Sequence, residues 1–165
     1  MISAYLKILD FTDSIIWSAG EVSQLMLSSK CHQLNYANLD DLNFIAGPYN
    51  INNNHWLAVI IDINKEEFIL LDPLVKSTPL ADGCFESWCT YYNNRKHKRE
   101  IKWSLKHVDH PIQTDHFNCG VFVIRFIEKY IKHQVDNNQI HFDTSHVNLE
   151  CDRLLISSAI ESFKK

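Results

Sequence analysis

Glycine and proline are scarce, four of each in 165 residues, so no low-complexity linker or repeat marks an internal boundary and the chain reads as a single domain. Long apolar runs are missing too. The longest, Trp56 to Ile61, is strand-sized and far short of the about 20 residues a membrane span needs. Basic excess is absent: net charge is -4, and the one basic cluster, Arg95 to Arg99, is short and followed by Glu100. That excludes a nucleic-acid patch as the first reading and leaves a solvated helix end or loop. A disulfide framework is also lacking. The five cysteines, Cys31, Cys84, Cys89, Cys119 and Cys151, form an odd set without framework spacing, and no signal peptide precedes them. The expectation is free thiols in a reducing compartment, nucleus or cytoplasm.

What is present is a 45% hydrophobic chain long enough for a substantial core. The organising stretch runs from Pro111 through Gln113, Asp115, Asn118 and Cys119 to Ile124. Up to Cys119 it is polar. From Val121 the apolar positions Val123, Ile124, Ile127 and Ile131 recur at helical spacing, opposite Arg125, Glu128, Lys129 and Lys132. A helix should start at or beside Cys119, where unsatisfied N–H groups and the positive end of the macrodipole favour a thiolate. Gln113, in a loop folding back over that helix start, could supply a donor to an oxyanion. The competing reading is a buried cysteine acting as a small hydrophobe beside an ordinary loop glutamine.

A base and its orienting group come from a second stretch. His55-Trp56 opens one apolar run, Asp72-Pro73 closes the next, and Asn64-Lys65 between them is turn chemistry, which predicts an antiparallel hairpin. Hairpin arithmetic puts His55 opposite or diagonal to Asp72, and opposed Cβ atoms lie about 4.5–5.5 Å apart. Pro73 places Asp72 at a sheet rim.

Elsewhere the sequence predicts a helix over residues 15–26 capped by Thr12, Asp13 or Ser14, and an element of undecided type over residues 39–45. A helix over 82–93, a half-buried strand over 101–108 and a C-terminal helix over 148–163 follow. Strands in the middle with helices before, between and after them define an α+β fold, with a central mixed or antiparallel sheet flanked by helices.

His55, Asp72, Gln113 and Cys119 together satisfy the needs of cysteine-based acyl transfer: base, orienting carboxylate, oxyanion donor and nucleophile. The rival use is metal binding by His107, His110, His116 and Cys119, but no Cys-x2-Cys occurs and the spacings match no closed zinc knuckle. Neither metal nor cofactor is expected.

His55-Trp56, Asp72 and Gln113-x5-Cys119-Gly120-Val-Phe-Val, in the order His, Asp, Gln, Cys, resemble the ubiquitin-like-protein proteases. These are the SUMO-specific cysteine proteases that share a catalytic core with the adenoviral proteinase; papain-like enzymes run Cys first. Asp10-Phe11-Thr12-Asp13-Ser14-Ile15-Ile16 is similar to that family's N-terminal Trp-Leu-x-Asp-x-x-Ile segment. The resemblance implies that Cys119 is the nucleophile, His55 the base and later acid, Asp72 the orienting carboxylate, and Gln113 with the Cys119 N–H the oxyanion hole. Trp56 would roof a channel admitting a Gly-Gly tail, with Phe11, Asp13, Asn118 and Gly120 as further substrate-binding positions.

Two departures stand out: Asn118 replaces the family's Asp before the nucleophile, and Phe11-Thr12 replace its Trp-Leu. The Asp115-x-Phe117-Asn118-Cys119-Gly120-Val-Phe version resembles the family's divergent, often transposon-borne branch, and the Phe11-Thr12 change implies a different wall of the substrate channel. The implied activity is that of a monomeric isopeptidase acting on a ubiquitin-like modifier, SUMO first, ubiquitin or another relative second. Two alternatives are a non-catalytic modifier-binding module and a same-clan acetyltransferase, although no basic patch for a phosphate-bearing acyl donor supports the latter.

Overall fold

The structure, a computed structural model, describes every residue except 32, 33, 35, 36, 96–99, 133, 134, 164 and 165. Most of the Arg95–Arg99 basic cluster thus lies outside the described residues. Arg95 itself turns inward, donating to the Leu34 and Ala37 carbonyls.

A five-stranded sheet runs in the order β1 (Ser14–Ile16), β2 (Phe44–Ile51), β3 (His55–Asp62), β4 (Glu67–Leu71), β5 (Ser104–Leu105). β1 pairs parallel with β2, β2–β3–β4 form an antiparallel meander, and β5 returns parallel to β4, giving a mixed sheet. The helices are α1 (Ile2–Ile8), α2 (Ala19–Ser28), α3 (Leu80–Asn93), α4 (Cys119–Ile131) and α5 (His146–Phe163); a small hairpin, β6 (Val135–Asp136) and β7 (Gln139–Ile140), follows α4.

The apolar run of β3 explains the layering. A strand buried on both faces needs apolar residues at successive positions rather than at alternate ones. Ala58 and Ile60 join Phe44, Ala46, Ile69 and Leu71 against Phe122, Ile124 and Phe126 of α4, with Leu149 and Ile156 of α5 behind them. On the opposite face Val59 and Ile61 join Trp17, together with Val22 and Leu25 of α2 and Trp88 of α3, in a second cluster. The sheet therefore lies between two helical layers, the α+β architecture expected.

Three expectations change. Residues 14–16 form β1 instead of a helical turn, because Ile15 and Ile16 are β-branched and pair with Ile45 and Ala46. The helix starts later, at a capping box in which Ser18 Oγ accepts the Glu21 N–H and Glu21 Oε2 accepts the Ser18 N–H. Residues 39–45, left undecided, split into a short 3-10 helix, Leu39–Asp41, and the start of β2. The strand expected over 101–108 contracts to two paired residues, with Trp103 just before them held edge-on against Trp88 at 5.0 Å.

β2 itself contains Gly47 and Pro48. Gly47 is required by crowding: a Cβ there would sit 2.9 Å from Trp17 Cβ and 3.0 Å from the Trp17 carbonyl. Pro48 lies past the last residue paired with β1, where the strand has only β3 beside it.

Candidate active site

His55 is aimed by two hairpins. The β2–β3 turn uses Asn52 and Asn53 at φ 52° and 60°, conformations Asn tolerates better than most side chains, and closes with Asn54 N–H to the Ile51 carbonyl. His55 thus begins β3 directly opposite Ile51. The β3–β4 hairpin pairs Ala58 with Leu71, which makes Leu57 the residue facing Asp72 and His55 its diagonal neighbour. His55 Nε2 lies 2.7 Å from Asp72 Oδ1, as the hairpin register predicts. Both side chains are largely sheltered, 19% and 10% exposed. With Nε2 occupied, Nδ1 is the ring nitrogen left for proton exchange with a thiol.

Asp72 is anchored in turn. Its Oδ1 also accepts the Leu74 N–H at 2.9 Å, and its main chain bridges to Val75. One residue further, the Pro73 carbonyl accepts the Gln113 N–H at 2.7 Å. That bond fastens the loop carrying the predicted oxyanion donor to the loop carrying the predicted orienting carboxylate.

Cys119 is the first residue of α4 and is buried. α4 packs on β3 through the core that also holds Trp56. The Asn118 carbonyl accepts the N–H groups of Val121 and Phe122, whereas the Cys119 N–H has no acceptor among the described residues. It is a free donor at the helix start, as an oxyanion site requires. The thiol forms no hydrogen bond to His55 among the described residues. Nucleophile–base contacts commonly tighten only when substrate is bound.

Gln113 is buried, but its amide is turned to Asp115: Nε2 donates to the Asp115 carbonyl at 2.7 Å and to Oδ1 at 3.0 Å, and Oε1 has no partner. Asp115, which the sequence reading passed over, is the hub of the loop. Oδ1 also accepts the Phe117 and Asn118 N–H groups at 3.0 and 2.9 Å, and Oδ2 accepts Asn118 Nδ2 at 2.6 Å. Burial alone would raise its pKa, but these donors outweigh it and hold the carboxyl below the usual carboxylate range. From outside, Arg153 of α5 donates to the Phe117 carbonyl at 2.7 Å and lies 4.7 Å over the Phe117 ring. An Asp two and three residues before main-chain donors is a recurrent turn signature and could have exposed Asp115 in advance.

The remaining predicted positions divide. Trp56 and Phe11 are partly exposed and packed on the core, and Asp13 is exposed with its carbonyl accepting the Asn43 N–H. Asn118 is buried on Asp115, and Gly120 lies against α1, where a Cβ would meet Ile2 Cδ1 at 3.3 Å. His110, weighed as a metal ligand, is a core residue: Nδ1 meets the Pro111 carbonyl at 3.1 Å and its ring packs 4.8 Å from Phe126. Among the described residues no group of three His, Cys, Asp or Glu side chains is placed to hold a metal ion. A cavity of about 280 Å³ lined by Lys65, Glu67, Lys106 and Tyr130 lies by the β3–β4 turn, at the end of β3 remote from His55, and includes none of these positions.

A mixed sheet between helical layers, with a cysteine opening the helix packed on its middle strand, defines the class as the cysteine-protease fold. Sequence comparison narrows it: the chain belongs to the Ulp1 protease family, whose C-terminal catalytic domain it matches over residues 16–155.

The chain is similar to ubiquitin-like-specific protease 1 of Saccharomyces cerevisiae, 29% identical over 87 residues that make up 52% of this chain and 14% of that protein. It therefore spans a small part of that relative's length. Among solved structures it is similar to the Ulp1 protease domain in complex with Smt3, the yeast orthologue of SUMO, with a TM-score of 0.80 at 19% identity over 96% of this chain and 72% of that one. It is also similar to the Xanthomonas campestris effector XopD bound to ubiquitin, with a TM-score of 0.63 at 19% identity over 98% and 87%. At these identities the structural likenesses carry the fold. No helix among the described residues is long and apolar enough to cross a membrane.

Proposed function

We propose that the domain is a cysteine isopeptidase that cleaves after the C-terminal glycine of a ubiquitin-like modifier. SUMO is the first candidate, because the family and the Smt3-bound relative point to it. Ubiquitin is the second, because a relative of the same fold is bound to it. The observation carrying the reading is the His55–Asp72 contact of 2.7 Å on a hairpin against which the Cys119 helix packs.

In the proposed reaction Cys119 Sγ loses its proton to His55 Nδ1 and attacks the glycyl carbonyl carbon. Asp72 holds the ring by Nε2 and stabilises the imidazolium. The negative oxygen that forms is met by the free Cys119 N–H and a Gln113 N–H. Collapse breaks the C–N bond as the imidazolium gives its proton to the departing lysine amine. Water, deprotonated by His55, then hydrolyses the thioester and restores the thiol. Trp56, with Phe11 and Asp13, is the proposed lining for the extended Gly-Gly tail, where a larger side chain would strike the indole.

The experiment is labelling by a panel of modifiers ended in an electrophilic glycine analogue. A probe that couples to Cys119, and not to a Cys119→Ala variant, identifies the modifier. Failure of every SUMO and ubiquitin probe to couple, with the protein folded, overturns the reading in favour of a binding module.

A further inference from the structure

A carboxylate can only accept hydrogen bonds, so any amide set against it must present its NH2 end. Asp115 has two amides against it, Gln113 and Asn118, and both present nitrogen. The consequence is that both amide oxygens, Gln113 Oε1 and Asn118 Oδ1, end buried without a partner. Two such orphans are unfavourable. Turning the Gln113 amide over would instead bring its oxygen against two oxygens of Asp115. The ionised carboxylate, not the rest of the pocket, decides the sense of that amide.

We propose that Asp115 is a positioning residue for the reaction: it fixes Gln113 with nitrogen rather than oxygen available to the oxyanion, and fixes the loop from Gln113 to Asn118 that precedes the nucleophile. This rests on the isopeptidase reading above. Both acceptors of Gln113 Nε2 belong to Asp115, at 2.7 and 3.0 Å, so a single hydrogen can be shared between them while the second is left for the substrate oxygen. Were the amide reversed, Oε1 would face the developing negative charge and repel it. The donors that keep Asp115 ionised, the Phe117 and Asn118 main-chain N–H groups, also set the entry of the chain into α4, so one carboxylate ties donor orientation to nucleophile position.

The test is Asp115→Asn, which keeps the shape and the acceptor oxygen while adding a competing NH2. In a modifier-cleavage assay kcat should fall about 10- to 100-fold with KM changed less than about threefold, a part of the 10²–10³ that a whole oxyanion donor provides. Iodoacetamide alkylation of Cys119, followed by peptide mass spectrometry, should keep its rate, because the substituted side chain keeps an oxygen to accept the Phe117 and Asn118 N–H groups that set the entry into α4, and thiol reactivity does not use Gln113. In a Gln113→Ala background the same substitution should cost less than threefold. A full multiplicative loss in that background, or kcat within twofold of the parent, overturns the proposal.

A second measurement does not depend on turnover. The side-chain NH2 resonances of Gln113 in an ¹⁵N-correlated spectrum should move on Asp115→Asn, and their staying in place overturns the proposal even if no modifier is ever cleaved. Absence of cleavage by the parent protein, with those resonances shifting, would instead count against the isopeptidase reading alone.

Discussion

Nε2 of His55 and the Leu74 N–H converge on the same oxygen, Oδ1 of Asp72, at 2.7 and 2.9 Å. The main-chain donor holds the carboxylate still while the imidazole uses it. Replacing Asp72 by Asn keeps an oxygen for Leu74 but removes the charge that would stabilise an imidazolium. In the serine triad the equivalent change costs about 10⁴-fold. Asp72→Asn should therefore lower kcat by about 10²–10⁴-fold in modifier cleavage while leaving the denaturant midpoint nearly unchanged. A loss below tenfold would mean that Asp72 does not orient the base.

The two glycines that meet neighbours within 3.4 Å should respond differently to alanine. At Gly47 the obstruction includes the Trp17 backbone, which cannot swing away, so Gly47→Ala should destabilise by about 1–3 kcal/mol. At Gly120 the obstruction is the far end of Ile2, 3.3 Å away, and alanine gains up to about 1 kcal/mol of helix propensity in return. Gly120→Ala should leave stability within about 1 kcal/mol of the parent, read as a denaturant midpoint. Unchanged stability with strongly reduced turnover would put substrate, rather than α1, against Gly120.

Acid sensitivity should begin at His110. Burial is the largest influence on its ring and pushes its pKa below the ordinary histidine value, against the weaker pull of the Pro111 carbonyl. The folded state then binds fewer protons than the unfolded chain, whose histidines titrate near about 6.5. The stability His110 confers is present above that value and is lost as pH falls through it towards the folded value. Urea midpoints should drop between about pH 7.5 and pH 5.5, and His110→Gln should flatten that slope. Equal slopes in the two proteins would assign the acid loss elsewhere.

The sequence was most legible where the pattern was local. The β3–β4 turn and the run after Cys119 are specified by neighbours a few residues apart, so the His55–Asp72 diagonal and the start of α4 follow from counting. β2 was missed because Gly47 and Pro48 interrupt its pattern, and both are there for reasons outside the strand: Trp17 crosses the first and β1 ends before the second. The orientation of the Gln113 amide was not legible either. It is set by the Asp115 carbonyl and carboxylate, which accept from Nε2, a contact that residue spacing does not encode.

Four of the five thiols should separate under alkylation by their surroundings. Burial pushes the Cys84 thiol up to about 11, and it raises Cys89 as well, with Glu86 adding to the effect. The thiolate is the reacting species, so at about pH 8 only a very small fraction of Cys84 is reactive, and its site on α3 faces the Trp17 and Trp88 core. Cys151 is exposed on α5, and Cys119 sits at the start of α4 beside the His55 hairpin. Brief iodoacetamide treatment of the native protein at that pH should modify Cys119 and Cys151 while sparing Cys84, with Cys89 slower than Cys151. Peptide mass spectrometry would read the pattern directly. Blocking of Cys119 by a glycine-ended modifier probe before alkylation should remove that one site from the modified set and leave Cys151 as before. If Cys84 reacts as fast as Cys151, α3 opens from the sheet far more readily than its packing allows.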